Sequence, residues 1–239
     1  MRDQDHESCH HHVHDRDTMK LHKQCISIVP IFNHLSAAEM SEIVKETRSV
    51  SYGRGQTIYR AGELSEGLYI VHKGRVKIYR LSNTGKEQLV RILNPGDFTG
   101  ELSLFSESIH DSYADAMERV ELCVMTREEF HRFLIKYPTI APKILTEFAS
   151  RLAKTEHQAA NIAMESTEAR IAMYLAQEVD AAQNDRIRLN MTRKDLASFL
   201  GTTPETVSRK LTEFEDSGWI KQVSQREIEV LDLDALLLI

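Results

Sequence analysis

Glu205, Ser208 and Arg209 are spaced so that one face of a helix would carry all three. Their chemistry is that of reading base edges in a DNA major groove. Arginine forks onto guanine, glutamate accepts from cytosine, and serine contacts several bases. Thr203 and Thr206 flank the same face. Lys210 falls on its semi-buried flank, where the stem can pack while the ammonium reaches phosphate. Upstream, Arg193 and Lys194 add charge placed to touch phosphate.

A second group of reactive side chains lies elsewhere. Cys9, Cys25 and Cys123 are the only thiols. His6, His10, His11, His12, His14 and His22, with Asp15 and Asp17, surround or separate the first two. Three thiolates plus one histidine or aspartate could hold a [4Fe–4S] cluster. The same donors, with His10, His12 and His14 as nitrogen ligands, suit zinc as Cys₃His or Cys₂His₂. A third version is a reversible disulfide from Cys123 to Cys9 or Cys25. The bland readings are a small buried hydrophobe at Cys123 and a polar histidine tail with incidental metal affinity.

These side chains need elements to position them. Met191–Leu211 reads as a helix, a tight turn at Gly201 and a second helix. Leu196, Ala197 and Leu200 would line the inner face of the first helix, Val207 and Leu211 that of the second. The turn favours a residue free to take positive φ. Ser217-Gly218 ends the second helix. Trp219–Val223 and Ile228–Leu231 then read as strands around the turn Ser224-Gln225-Arg226, which makes a winged helix-turn-helix. A plain helical hairpin would need neither the glycine nor the wing.

Residues from about 28 to 135 read as short strands punctuated by glycines, including Leu68–Val71, Val76–Tyr79 and the turn Asn83–Lys86. That pattern predicts a small antiparallel barrel or jelly roll, able to hold a small ligand or to act as a rigid scaffold. After Pro138, with Pro142 in the first turn, a long helix is expected. Leu145, Phe148, Leu152, Thr155, Ala159 and Ile162 recur at steps of three and four, the seam of a coiled coil. A homodimer is expected, since a helix-turn-helix usually reads two half-sites about 34 Å apart. The alternative is a helix packed on its own domain.

The expected division is a His/Cys-rich arm at 1–27, a β-roll sensor at 28–137, a dimerisation helix at 138–165 and the winged helix-turn-helix at 166–239. The fold class is α+β. The 239 residues are 41% hydrophobic, ample for packed cores, and carry net charge −6. That charge excludes a nonspecific nucleic-acid coat, so DNA binding must rest on local basic residues. No apolar run approaches the ~20 residues that span a bilayer. A polar N-terminus and an odd number of cysteines point to a reducing cytoplasm. An enzyme is not expected, because Asp97, Glu101 and His110 form no nucleophile–base pair or two-histidine metal motif.

From about Val29 onward the chain resembles a Crp/Fnr-family transcription regulator. The resemblance is carried by Tyr52–Gly62, Leu68–Gly74, Pro95–Phe105 and the helix-turn-helix together. It implies a β-roll sensor, a dimerising helix, a C-terminal winged helix and contact with RNA polymerase. Glu205-Thr-Val-Ser208-Arg209 resembles the recognition helix of the Fnr branch, which reads TTGA-type half-sites. Pro204 stands where the Crp branch usually has arginine. Gly100-Glu101-Leu102 resembles the start of the family's phosphate-binding cassette. Asp111, before Ser112, occupies the place of the phosphate-binding arginine. A carboxylate there repels phosphate, so cyclic AMP is not expected, and Glu101 is left to cap backbone N–H groups. Cys123 matches the central cluster ligand of oxygen-sensing Fnr proteins, and Cys25 lies in their N-terminal ligand region. The tight cysteine cluster of those sensors is absent. The expectation is a homodimeric regulator controlled by oxygen or redox state, its arm folding onto the roll near Cys123. Cyclic-nucleotide, zinc and haem sensing are the rivals.

Overall fold

The computed structural model describes residues 26–105 and 109–239. It opens on a buried turn and the helix α1 (Ala37–Glu46), started by a capping box in which Ser36 and Glu39 satisfy each other's backbone N–H. The roll follows: β1 (Arg48–Tyr52), β2 (Thr57–Tyr59), β3 (Gly67–Lys73), β4 (Val76–Leu81), β5 (Glu87–Leu93), β6 (Phe98–Thr99), β7 (Tyr113–Ala116) and β8 (Val120–Thr126). A 3₁₀ turn at Glu101–Leu104 lies between β6 and β7.

The strands form two antiparallel four-stranded sheets, ordered β1-β8-β3-β6 and β2-β7-β4-β5. Val71, Val76, Ile78, Leu93, Val120 and Leu122 fill the space between them. The expected turn at Asn83–Lys86 joins β4 and β5 as a hairpin, with Gly85 at φ 77°. Gly100 takes φ 84°, and a Cβ there would lie 2.1 Å from the Gly67 carbonyl oxygen, so this corner admits only glycine.

The strand-like reading of 28–135 missed two helices, α1 and α2 (Arg127–Lys136). Both pack beneath the first sheet, where Phe130 and Phe133 meet Ile43, Val44, Ile70 and Met125. Ile26 and Val29 are fully buried in the same layer, so the roll's core begins before the expected boundary at 28. The remainder of the expected arm, 1–25, lies outside the described residues.

The long helix α3 runs Ile140–Met164 and buries only Ile140 and Ile144 within the chain. Then come α4 (Thr167–Ala182), β9 (Arg186–Arg188), α5 (Arg193–Phe199), α6 (Pro204–Asp216), β10 (Ile220–Gln222), β11 (Glu227–Val230) and α7 (Leu233–Leu237). The wing is a three-stranded sheet, β10-β11-β9, whose third strand the sequence did not announce. Ile171, Leu175, Leu196, Val207, Leu211, Phe214 and Ile228 form the core of this C-terminal domain.

Candidate nucleic-acid interface

Two helices joined at Gly201 build the interface. Thr192 caps α5 with a capping box closed by Asp195, and Gly201 turns the chain at φ 70°. Thr203 caps α6 by accepting from the Thr206 N–H, and Pro204 occupies the first turn, where its missing N–H costs nothing. Leu196 and Ala197 on α5 and Val207 and Leu211 on α6 are fully buried, which fixes the rotation of both helices.

The opposite face of α6 is thereby turned outward. Glu205, Ser208 and Arg209 are all exposed on it. Hydrogen bonds from its own backbone N–H and from Thr203 hold the Glu205 carboxyl below the usual range, so it is an anionic acceptor. Arg209 is only loosely held, 3.7 Å from Glu213, and stays 69% exposed. Lys194 is exposed beside the start of α5.

Four of the expected contact residues have partners within the chain. The Lys210 ammonium does not point outward: it lies 2.7 Å from Glu168 on α4 and 2.5 Å from Glu213. These carboxylates raise its pKa, so it serves as a tie between helices. Arg193 is half-buried and brackets the wing, donating to Gln222 Oε1 at 2.9 Å and to the Gln225 carbonyl at 3.3 Å. Gln222 in turn holds both carboxylate oxygens of Glu215. Thr203 and Thr206 are engaged with each other at the helix start.

In the roll, Glu101 does not cap backbone groups as expected. Its Oε1 accepts from Arg91 at 3.1 Å and from Arg151 of α3 at 2.8 Å. Asp111 pairs with Arg80. Nearby, His110 stacks on Tyr59 at 3.6 Å, and Tyr59 bonds Thr99 at 2.8 Å. His110 Nε2 and Glu101 Oε2 are buried and find no hydrogen-bond partner among the described residues.

Cys123 sits in the middle of β8, opposite Ser49 of β1 and Ile70 of β3, and is 1% exposed. It faces the layer that contains Ile26. Cys9, Cys25, His10, His12 and His14 lie outside the described residues. Among the described residues, no group of three or more His, Cys, Asp or Glu could hold a metal ion. No described helix is long and apolar enough to cross a membrane.

Along α3, Leu145 and Leu152 are 68% and 60% exposed, with Thr155, Ala159 and Ile162 also outward. Phe148 instead leans onto Phe105 of the roll, rings 5.9 Å apart. Phe105, Leu134, Ala141, Ile144, Leu145 and Phe148 line an apolar groove of about 270 Å³.

One contact between the roll and the C-terminal domain was not foreseen. Ser198 on α5 bonds two backbone groups of β5, 109 residues away at Leu89, and no local pattern marks it.

Residues 49–137 match the cyclic nucleotide-binding domain, and residues 169–239 match the Crp-like helix-turn-helix domain. The chain is 30% identical to a probable transcriptional regulator, flp, of Lacticaseibacillus casei, over 88% of this chain and 95% of that protein. It is also 30% identical to a CRP-like cAMP-activated global transcriptional regulator of Mycobacterium tuberculosis, over 80% and 88% of the two chains. Among solved structures, FixK2 from Bradyrhizobium japonicum superposes with a TM-score of 0.69 at 25% identity, covering 80% of this chain and 95% of that one.

Proposed function

We propose, for a chain that belongs to the Crp/Fnr family of transcription regulators, that two copies join along α3 and read a palindrome of TTGA-type half-sites. DNA binding and transcription regulation come with the family. The observation that carries the finer reading is the outward face of α6. Glu205, Ser208 and Arg209 are exposed on it while the opposite side is locked in the core. Arg209 takes the guanine of the half-site, Glu205 the cytosine that pairs with it, and Ser208 a thymine. The exposed stripe of α3 supplies the twofold contact, and RNA polymerase is the further partner.

The signal we assign is oxygen or redox state, acting in the cytoplasm through Cys9, Cys25 and Cys123. Ile26, the chain neighbour of Cys25, packs in the same buried layer as Cys123, which supports a close approach of arm and roll. An iron–sulfur cluster and a disulfide both use that approach, and zinc is the alternative ion. Cyclic AMP is left out. Its phosphate needs a cation where this chain has Asp111, already matched by Arg80. A second reading, a different small ligand in the roll, draws on the unpartnered His110 Nε2 and Glu101 Oε2.

Gel shifts with palindromic DNA, on protein purified without oxygen and after air exposure, test both layers. Arg209→Ala should lose about 1–3 kcal/mol of preference for the site while keeping salt-sensitive background binding. Equal selectivity of variant and wild type would defeat the base-reading assignment. Cys123→Ser should uncouple DNA binding from oxygen exposure, and an unchanged oxygen response would remove the thiol scheme. Iron, zinc and sulfide analysis separates cluster, zinc and disulfide.

A further inference from the structure

β5 is the outermost strand of its sheet, so its outward N–H and C=O groups need partners from beyond the roll. They find them on the DNA-reading head. Ser198 Oγ of α5 accepts from the Leu89 N–H at 2.7 Å and donates to the Glu87 carbonyl at 2.8 Å. Leu89, 2% exposed, belongs to the core of the C-terminal domain, and Ile92 packs beside it. The carbonyl of Phe199, the last residue of α5, receives two side-chain amides. Gln88 of the roll donates at 3.4 Å and Gln158 of α3 at 3.2 Å. Arg75, at the turn between β3 and β4, adds a bond to the Asn190 carbonyl at 2.6 Å. Ile162 of α3 reaches ordinary contact distance of the Gly201 turn, 3.7 Å from where a Cβ would stand.

Roll, long helix and reading head therefore meet at α5. We propose that Ser198, Gln88 and Gln158 are positioning residues for DNA recognition. They fix α5, and through the Gly201 turn α6, at one angle to the dimer helix. The inference rests on the dimeric reading above. If two α6 helices hang from paired α3 helices, the angle of each to α3 sets the distance between them. The joint then selects the half-site spacing, whereas Glu205, Ser208 and Arg209 select the bases.

The test uses the full chain and TTGA palindromes whose central spacer is varied one base pair at a time, with affinity read by fluorescence anisotropy. Wild type should show one sharp optimum. Ser198→Ala, and separately the pair Gln88→Leu with Gln158→Leu, should bind the best spacer at least tenfold more weakly and flatten the profile. Discrimination between TTGA and a scrambled half-site should stay as in wild type. Ser198→Thr, which restores the hydroxyl, should recover the sharp optimum, and thermal melts confirm that each variant is folded. A sharp wild-type optimum shared by both altered proteins defeats the joint alone. A wild type indifferent to every spacer defeats the dimeric reading and the joint with it.

Discussion

Lys210, a basic residue on α6, is engaged in packing between helices. Its ammonium is shared between Glu168 and Glu213. Removing it should loosen α6 from α4 without removing a contact to DNA. Lys210→Ala is therefore expected to lower the melting temperature and leave the slope of log affinity against log salt unchanged. A slope reduced by about one would mean a lost phosphate contact. His110 carries a second prediction. Burial holds its imidazole below the ordinary value of 6.5, against the opposing pull of Glu63, Asp111, Glu101 and Glu66. A base with a depressed folded pKa binds fewer protons folded than unfolded. Its contribution to stability is complete above about 6.5 and is lost as pH falls below that value. The drop in melting temperature from about pH 7 to about pH 5 should be smaller for His110→Phe, which keeps the stack on Tyr59. Parallel curves for the two proteins would contradict this. At this scale the sequence was legible where function is local. Glu205, Ser208 and Arg209 show their common face through helical spacing alone. Lys210 also meets Glu168, Glu101 meets Arg151 and Ser198 meets Leu89, partners 42, 50 and 109 residues away, and spacing says nothing about such pairs.

Among the elements, turns and caps set the frame. Gly100 and Gly85 make a controlled pair, since both have positive φ but only Gly100 is pressed against backbone. A Cβ at Gly85 would meet nothing within 4 Å. Gly85→Ala should cost about 1–2 kcal/mol for its backbone conformation. Gly100→Ala should cost clearly more, because the Gly67 carbonyl must also move. Urea melts compare the two, and equal losses would show that the corner can relax. The helix-turn-helix, β4 and the turn after it were readable because glycine and apolar period mark them in a few residues. α1 and α2 were overlooked although Ser36-x-x-Glu39 and Thr126-x-x-Glu129 are start signals in plain view. The glycines recurring between them, from Gly53 to Gly100, drew the reading of the whole stretch toward strands. β9 is three residues long, with only Ile187 buried, too short a run to announce itself.

For the whole molecule, the main consequence concerns assembly. Leu145 and Leu152 on α3 stay largely exposed among the described residues. Leu152→Glu should place a charge in the seam, give a monomer by sedimentation, and abolish preference for a palindrome over a single half-site. A dimer that survives this change would move the twofold contact off α3. The exposed stripe was legible from its steps of three and four, except at Phe148, which the roll draws aside through Phe105. The dock on β5 has one more effect. While Ser198 covers Leu89 and Glu87, that strand margin is closed to other chains. A head that swings away uncovers an unprotected ribbon border, a template for sticky sheet-to-sheet growth between molecules. Release of the reading head would thus be limited by solubility as well as by DNA affinity.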